Sequence, residues 1–157
     1  MLREIKNGEN DELYRGMYRP YIDELKSFGG GNGMSLDALE KYLDAAFMKL
    51  WAIESDGQDV GFILTEYVSE KNLYRPMLYI AEFYVAPGFR RRGIGSEAFT
   101  ELLATTSDPV FFVVLNGNTP AEAFWRRQIG VHDLVPVRPD PRQIRFAGNE
   151  QLYCFRK

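Results

Sequence analysis

The chain has 157 residues, 45% of them hydrophobic, 26% charged and 14% aromatic, with a formal net charge of −3. That length fits one domain over 1–157, large enough to bury a core without metal or disulfide, and the composition excludes disorder, collagen and coiled coil. One cysteine, Cys154, and one histidine, His132, rule out an internal disulfide and a thiolate zinc site and speak against a resident metal. The acidic balance speaks against a nucleic-acid backbone as the main partner. Met1 to Asn7 is charged where a secretory leader is apolar, and the longest purely apolar run is Val110 to Leu115. The expectation is a cytoplasmic protein that engages neither nucleic acid nor membrane.

Leu2 to Lys6 alternates apolar and charged residues, which predicts a short strand. Leu13, Met17, Tyr21 and Leu25 recur every fourth residue and predict one helical face. Pro20 lies inside that pattern, so a kink or a junction of two helices is expected near Arg19. Gly29 to Gly33 breaks the pattern. Ser35 is an N-cap signal for a second helix with Leu36, Leu39, Leu43 and Phe47 on its apolar face. Leu50 to Glu54 and Val60 to Val68 read as strands joined at Asp56-Gly57, a hairpin signal, and residues 69 to 76 read as a polar loop.

Met77 to Val85 is an apolar strand with a single charge, Glu82. Pro87-Gly88 ends it. Ile94 to Thr105 is helical by period, and Val110 to Leu115 is a fully apolar strand, covered on both faces. Thr119-Pro120-Ala121-Glu122 reads as a capping box opening a helix through Phe124 and Trp125 to about Gln128, closed by Gly130. Gln151 to Phe155 reads as a last strand. The order predicts an α/β (α+β) domain on one mixed, mostly antiparallel, twisted sheet flanked by helices, with one right-handed parallel crossover after residue 77.

The chemistry concentrates in Phe83-Tyr84-Val85-Ala86-Pro87-Gly88-Phe89-Arg90-Arg91-Arg92-Gly93-Ile94-Gly95-Ser96. A buried strand ends and a helix begins on a glycine pair. The first turn of a helix has unpartnered N–H groups and partial positive charge. Glycines let an anion approach them, and Arg90, Arg91 and Arg92 add fixed charge. These residues suit a phosphate or diphosphate; the plainer reading is a tight strand-to-helix turn with solvated arginines. The loop matches neither G-x-x-x-x-G-K-[ST] nor G-x-G-x-x-G.

The segment resembles the GNAT superfamily of acyl-CoA-dependent N-acetyltransferases. Phe83-Tyr84-Val85-x-Pro87 followed by Arg90-Arg91-Arg92-Gly93-Ile94-Gly95 is similar to the family's Q/R-x-x-G-x-G/A loop. Asn118, Ala121, Phe124 and Trp125 fall at the spacing of its N-x-x-A-x-x-F-Y block. The resemblance implies a GNAT-like fold over the whole chain and acetyl-CoA as co-substrate. It implies that Arg91 to Ser96 hold the CoA diphosphate with their backbone amides, and that the pantetheine arm pairs with Phe83, Tyr84 and Val85 where their strand splays from its neighbour. It further implies that the Val85 amide polarises the thioester carbonyl and that Asn118 touches the cofactor arm. Trp125 stands where the family often has the Tyr that protonates the leaving thiolate, and is expected in the core or against that arm; indole N–H is no acid. Gly130 falls five residues after Trp125, where the family has a spacing of four. A lysine-like amine must lose a proton before it attacks. Glu82 is the candidate general base, its pKa raised by burial; the alternatives are a carboxylate paired with an arginine or one facing water.

The implied activity is acetyl transfer from acetyl-CoA to a primary amine by direct attack in a ternary complex. The other reading is a non-catalytic acyl-CoA-binding or regulatory module on the same fold, which the Trp125 replacement favours. The acceptor is a small-molecule or peptide amine that the sequence does not name. Oligomeric state is equally open, with a homodimer among the options. His132 reads as a helix-end residue and Cys154 as a buried small residue, with no activating His–Asp pair in view.

Overall fold

A computed structural model describes residues 1–6, 11–31, 45–68, 76–138 and 148–157, residues 11–14 by their backbone alone. In chain order the elements are β1 (Leu2–Ile5), α1 (Asp11–Ser27), β2 (Met48–Ser55), β3 (Gln58–Val68), β4 (Met77–Val85), a single 3₁₀ turn (Pro87–Phe89), α2 (Ile94–Ala104), β5 (Val110–Leu115), α3 (Thr119–Val131), β6 (Val135–Pro136) and β7 (Glu150–Arg156). The helix expected from Ser35 lies outside the described residues as far as residue 44, and its expected last apolar residue is corrected: Phe47 sits in the turn before β2 and is 48% exposed. The loop at 69–75 also lies outside the described residues.

The strands form one seven-stranded sheet in the order β1-β2-β3-β4-β5-β7-β6. All neighbours pair antiparallel except β4 and β5, which are parallel and joined through α2. The β2–β3 hairpin turns at Asp56 and Gly57, with φ of 52° and 74°, the left-handed pair that matches strand twist in a two-residue turn.

The sheet has a core on each face. On one, Phe99 and Leu102 of α2 and Trp125 of α3 pack against Ile63, Ile80 and Phe112. On the other, Tyr18, Tyr21 and Ile22 of α1 pack against Met48, Leu50, Phe62, Leu64 and Tyr84. Met17, Tyr21 and Leu25 of the every-fourth-residue pattern therefore mark the side of α1 that meets the sheet, and of the kink or junction expected near Arg19 the junction is not found: α1 runs unbroken through Pro20. The carbonyl four residues before a helical proline is the one its ring crowds. Here that residue is Gly16, with open space at its Cα, so the backbone can tilt away.

The last helix corrects the sequence reading at both ends. Asn118, not Thr119, is the N-cap: its side-chain oxygen accepts from the Ala121 N–H at 3.2 Å. Gly130 does not close the helix, which continues to Val131. Asp133 takes the left-handed conformation at φ 49°, the Asp133 N–H donates to Gly130 C=O at 3.3 Å and the Leu134 N–H to Ile129 C=O at 3.0 Å. This pair of bonds is the Schellman closure, and it buries Leu134.

Candidate active site

Two facts about β4 build the site. The first is where its pairing stops. Against β5 the register contains only Leu78 with Val110 and Tyr79 with Phe111, while β4 continues to Val85 and β5 to Leu115. The strands part after Tyr79, leaving one edge of Phe83–Val85 without a strand partner. The Ala86 N–H donates to Val60 C=O at 2.8 Å, so residue 86 faces β3. By strand alternation the N–H and C=O of Val85, and of Phe83 before it, face the split.

The second is a bulge. Thr65 pairs with Ile80 and Leu64 with Glu82, so Ala81 is an extra residue in β4. A bulge shifts the side-chain alternation. Ile80 faces the α2/α3 core, whereas Glu82 is carried to the α1 face with Tyr84. There the Tyr21 hydroxyl donates to Glu82 Oε2. Burial lifts the Glu82 carboxyl to a pKa of about 7, and the Tyr21 hydrogen bond pulls the other way. Tyr21 itself is held well above 10, first by burial and then by the Glu82 charge. Among the described residues no Lys or Arg forms an ion pair with Glu82. Tyr79, stacked on Phe111 at 4.6 Å at the point of divergence, is pushed to about 12 by burial and by Glu82.

At the C-terminal end of β4 the loop turns into α2. Arg91 and Gly93 have φ of 64° and 87°, and Gly93 is the N-cap. The first intrahelical bond runs from the Glu97 N–H to Gly93 C=O at 3.0 Å, so the N–H groups of Ile94, Gly95 and Ser96 precede any acceptor within the helix. A Cβ on Gly95 would come within 3.3 Å of Phe124 and 3.7 Å of Phe83, so a side chain there presses on the Phe124 ring. Arg91 and Arg92 are exposed.

Several expected ligand contacts are placed elsewhere. The Arg90 guanidinium is taken up: Nε donates to Val85 C=O at 2.7 Å, and the two terminal nitrogens donate to Glu24 of α1 at 3.0 and 2.7 Å. Of the two places expected for Trp125, core or cofactor arm, the structure shows the core. Trp125 is 6% exposed, stacked on Phe112 at 3.9 Å and edge-on to Phe83 and Phe99. Tyr84 points into the α1 core, so only its backbone lies along the strand edge. Asn118 spends its oxygen on the helix cap. His132 meets Thr100 Oγ1 at 3.2 Å, and the buried Cys154 thiol is pushed up to about 11, which suits a packing residue. Tyr21 is the partner of Glu82 that sequence reading missed, since it fits the apolar face of α1. The signal was chemical: a buried tyrosine hydroxyl needs an acceptor, and Glu82 is the lone carboxylate in the strand beside it.

An open strand edge, a bulge that aims a carboxylate beside it and a helix N-terminus with free amides define an acyl-CoA-dependent acyltransferase site. The residues fit acetyl-CoA: the free edge accepts a pantetheine arm, and the α2 terminus accepts the diphosphate. The model of the acetyltransferase (GNAT) family matches residues 15–131, and the chain belongs to that family. No curated protein matches the sequence significantly. Among solved structures, Tetrahymena GCN5 superposes with a TM-score of 0.70 at 11% identity, over 100% of this chain and 96% of that one. Arabidopsis thaliana NAA60, in complex with a bisubstrate analogue, gives 0.62 at 19% identity, over 100% and 98%. The aminoglycoside N-acetyltransferase AAC(6′)-Iy, in complex with CoA, gives 0.59 at 14% identity, over 94% and 97%. The protein is a GNAT acetyltransferase that uses acetyl-CoA.

Proposed function

We propose that the enzyme transfers the acetyl group of acetyl-CoA to a primary amine by direct attack, with Glu82 as general base. Acetyl-CoA supplies an acyl carbon already bonded to a good leaving group, a thiol of pKa about 8.5. The chain supplies three things. The α2 N-terminus, from Gly93 to Ser96, holds the diphosphate, and the edge of Phe83–Val85 lines up the arm. The Val85 N–H, fixed in the sheet and facing the split, is a dipole for the carbonyl oxygen. Its orientation is secured on the same residue, because Arg90 holds the Val85 C=O. Glu82 takes the proton from the acceptor's ammonium. The neutral amine forms the new C–N bond as the C–S bond breaks, the electron pair leaves on sulfur, and the second proton shed by the new amide nitrogen passes to solvent. A thiolate of that pKa leaves without an acid, so Trp125 in the core is no obstacle.

The observation that carries this reading is the bulge at Ala81, which places a carboxyl titrating near 7 next to the open strand edge. A base of that pKa is matched to neutral pH. The acceptor is a small-molecule or peptide amine; the aminoglycoside and bisubstrate complexes of the neighbours set the panel to try. Thiol release from acetyl-CoA is measured with kanamycin, spermidine and a peptide with a free N-terminus. Turnover with one of them, lowered about 10²-fold or more in Glu82→Gln, is the expected result. Acetyl-CoA binding with no thiol release on any amine would turn the reading towards a binding module.

A further inference from the structure

We infer that Tyr21 of α1 is a positioning residue for the general base, holding one oxygen of the Glu82 carboxylate so that the other faces the acceptor amine. The inference rests on the reading of Glu82 as base and adds a second group to it. Tyr21 is 8% exposed and buried among aromatic rings, edge-on to Phe62 at 5.5 Å and tilted against Tyr84 at 5.4 Å and Tyr18 at 6.3 Å. Its ring cannot swing without repacking that cluster, so the direction of its O–H is fixed by the core. That hydroxyl donates to Glu82 Oε2, and a carboxylate with one oxygen so engaged keeps its other oxygen as a proton acceptor.

The helix that carries Tyr21 is itself fixed to the cofactor side. Glu24, three residues on, holds Arg90 through both carboxylate oxygens, and Arg90 holds Val85 C=O. One stretch of α1 thus sets the base through Tyr21 and the end of β4 through Glu24. The base and the Val85 amide are positioned by the same helix.

The charged and titratable groups around Glu82 come from four elements. Tyr18 and Tyr21 lie on α1 and Tyr79 on β4, while Glu66 of β3 and Glu150 of β7 reach Tyr79 by their charge. The Glu24–Arg90 pair lies beyond Tyr84. Burial opposes ionisation of Glu82, and the Tyr21 hydroxyl is the donor that favours it.

The test is Tyr21→Phe, which keeps the ring and removes the hydroxyl. With the amine of highest turnover from kanamycin, spermidine and the free-N-terminus peptide, the acid limb of kcat/KM moves up by about one pH unit. The rate above the limb falls as well, because the carboxylate is no longer held in one orientation, while the thermal shift given by acetyl-CoA stays close to the parent. In parallel, the side-chain carboxyl carbon of Glu82 is titrated by NMR in ¹³C-glutamate-labelled protein, identified by its absence in Glu82→Gln, and its midpoint moves up by the same amount. An unmoved limb and midpoint overturn the role of Tyr21. If instead Glu82→Gln keeps the parent's rate and the parent's acid limb, the base reading fails, and the NMR midpoint still decides whether Tyr21 controls Glu82. Should Tyr21→Phe not fold, the Tyr21 ring carbon bonded to oxygen is followed in the parent: it must shift with the Glu82 midpoint, and a shift at another pH overturns the inference.

Discussion

Ionised Glu82 works against the fold, and the sign of its pH dependence follows from that. Its pKa rises from 4.5 to about 7 on folding, with burial as the largest cause. Between those values the folded chain keeps a proton that the unfolded chain has released, so stability falls as pH climbs through the window and is greatest when the carboxyl is neutral. Glu82→Gln is neutral at every pH and can still accept from Tyr21. It should be more stable than the parent by up to about 3 kcal/mol at about pH 8 and equal to it at about pH 4, read by thermal unfolding at the two pH values. The same substitution that removes turnover therefore raises Tm, which separates a lost base from a lost fold. Gly93 and Gly95 make the opposite test. An alanine at Gly93 meets a φ of 87°, and an aspartate at Gly95 adds negative charge at the helix end while its Cβ presses on Phe124 at 3.3 Å. Gly95→Asp should abolish the rise in Tm given by acetyl-CoA, and Gly93→Ala should reduce it, with each apo protein still unfolding cooperatively.

At the scale of elements, periodicity located β4 and β5 to the residue, because both are nearly continuous apolar runs bounded by Pro87 and by Asn116-Gly117. It erred where one residue changes role without changing pattern. Thr119-Pro120-Ala121-Glu122 looks like a capping box, yet the side-chain oxygen of the neighbouring Asn118 is the one that meets the Ala121 N–H and takes the cap. Asn118 was expected to reach the cofactor, and its cap bond predicts a different phenotype. Asn118→Ala should cost about 1 kcal/mol of stability, and Asn118→Asp should retain most of it, since Asp caps as well as Asn. Chemical denaturation of the two variants checks this. Equal losses in both would show that the amide nitrogen, not the oxygen, matters. At the other end, Gly130 is an ordinary helical residue with open space at its Cα. The positive φ belongs to Asp133, a residue type that tolerates that region and so leaves little trace in the sequence.

Over the whole molecule the consequential feature is that two parallel strands separate, and hydrophobic patterning has no means of showing it, because a strand edge without a partner has the same residues as one with a partner. The bulge at Ala81 is equally silent: it moves Glu82 across the sheet without altering the apolar run. What does show is the replacement at Trp125. Its indole lies edge-on to Phe83 of β4 at 5.3 Å and stacks on Phe112 of β5 at 3.9 Å, both just beyond the last β4–β5 pair. It bridges the two strands on the α3 side where they diverge, so the indole is a wedge under the cleft and a larger ring there has a packing reason. On that account Trp125→Tyr gains no catalytic acid. It should lower stability by about 1–3 kcal/mol through the unfilled volume and a newly buried hydroxyl, and turnover should not rise. Trp125→Ala should cost about 3–5 kcal/mol and weaken acetyl-CoA binding as well, because the strands are then free to close on the arm's path. Calorimetric titration of acetyl-CoA into Trp125→Ala below its Tm separates the two effects: an unchanged Kd in a destabilised protein would mean that the indole fills the core without holding the cleft open.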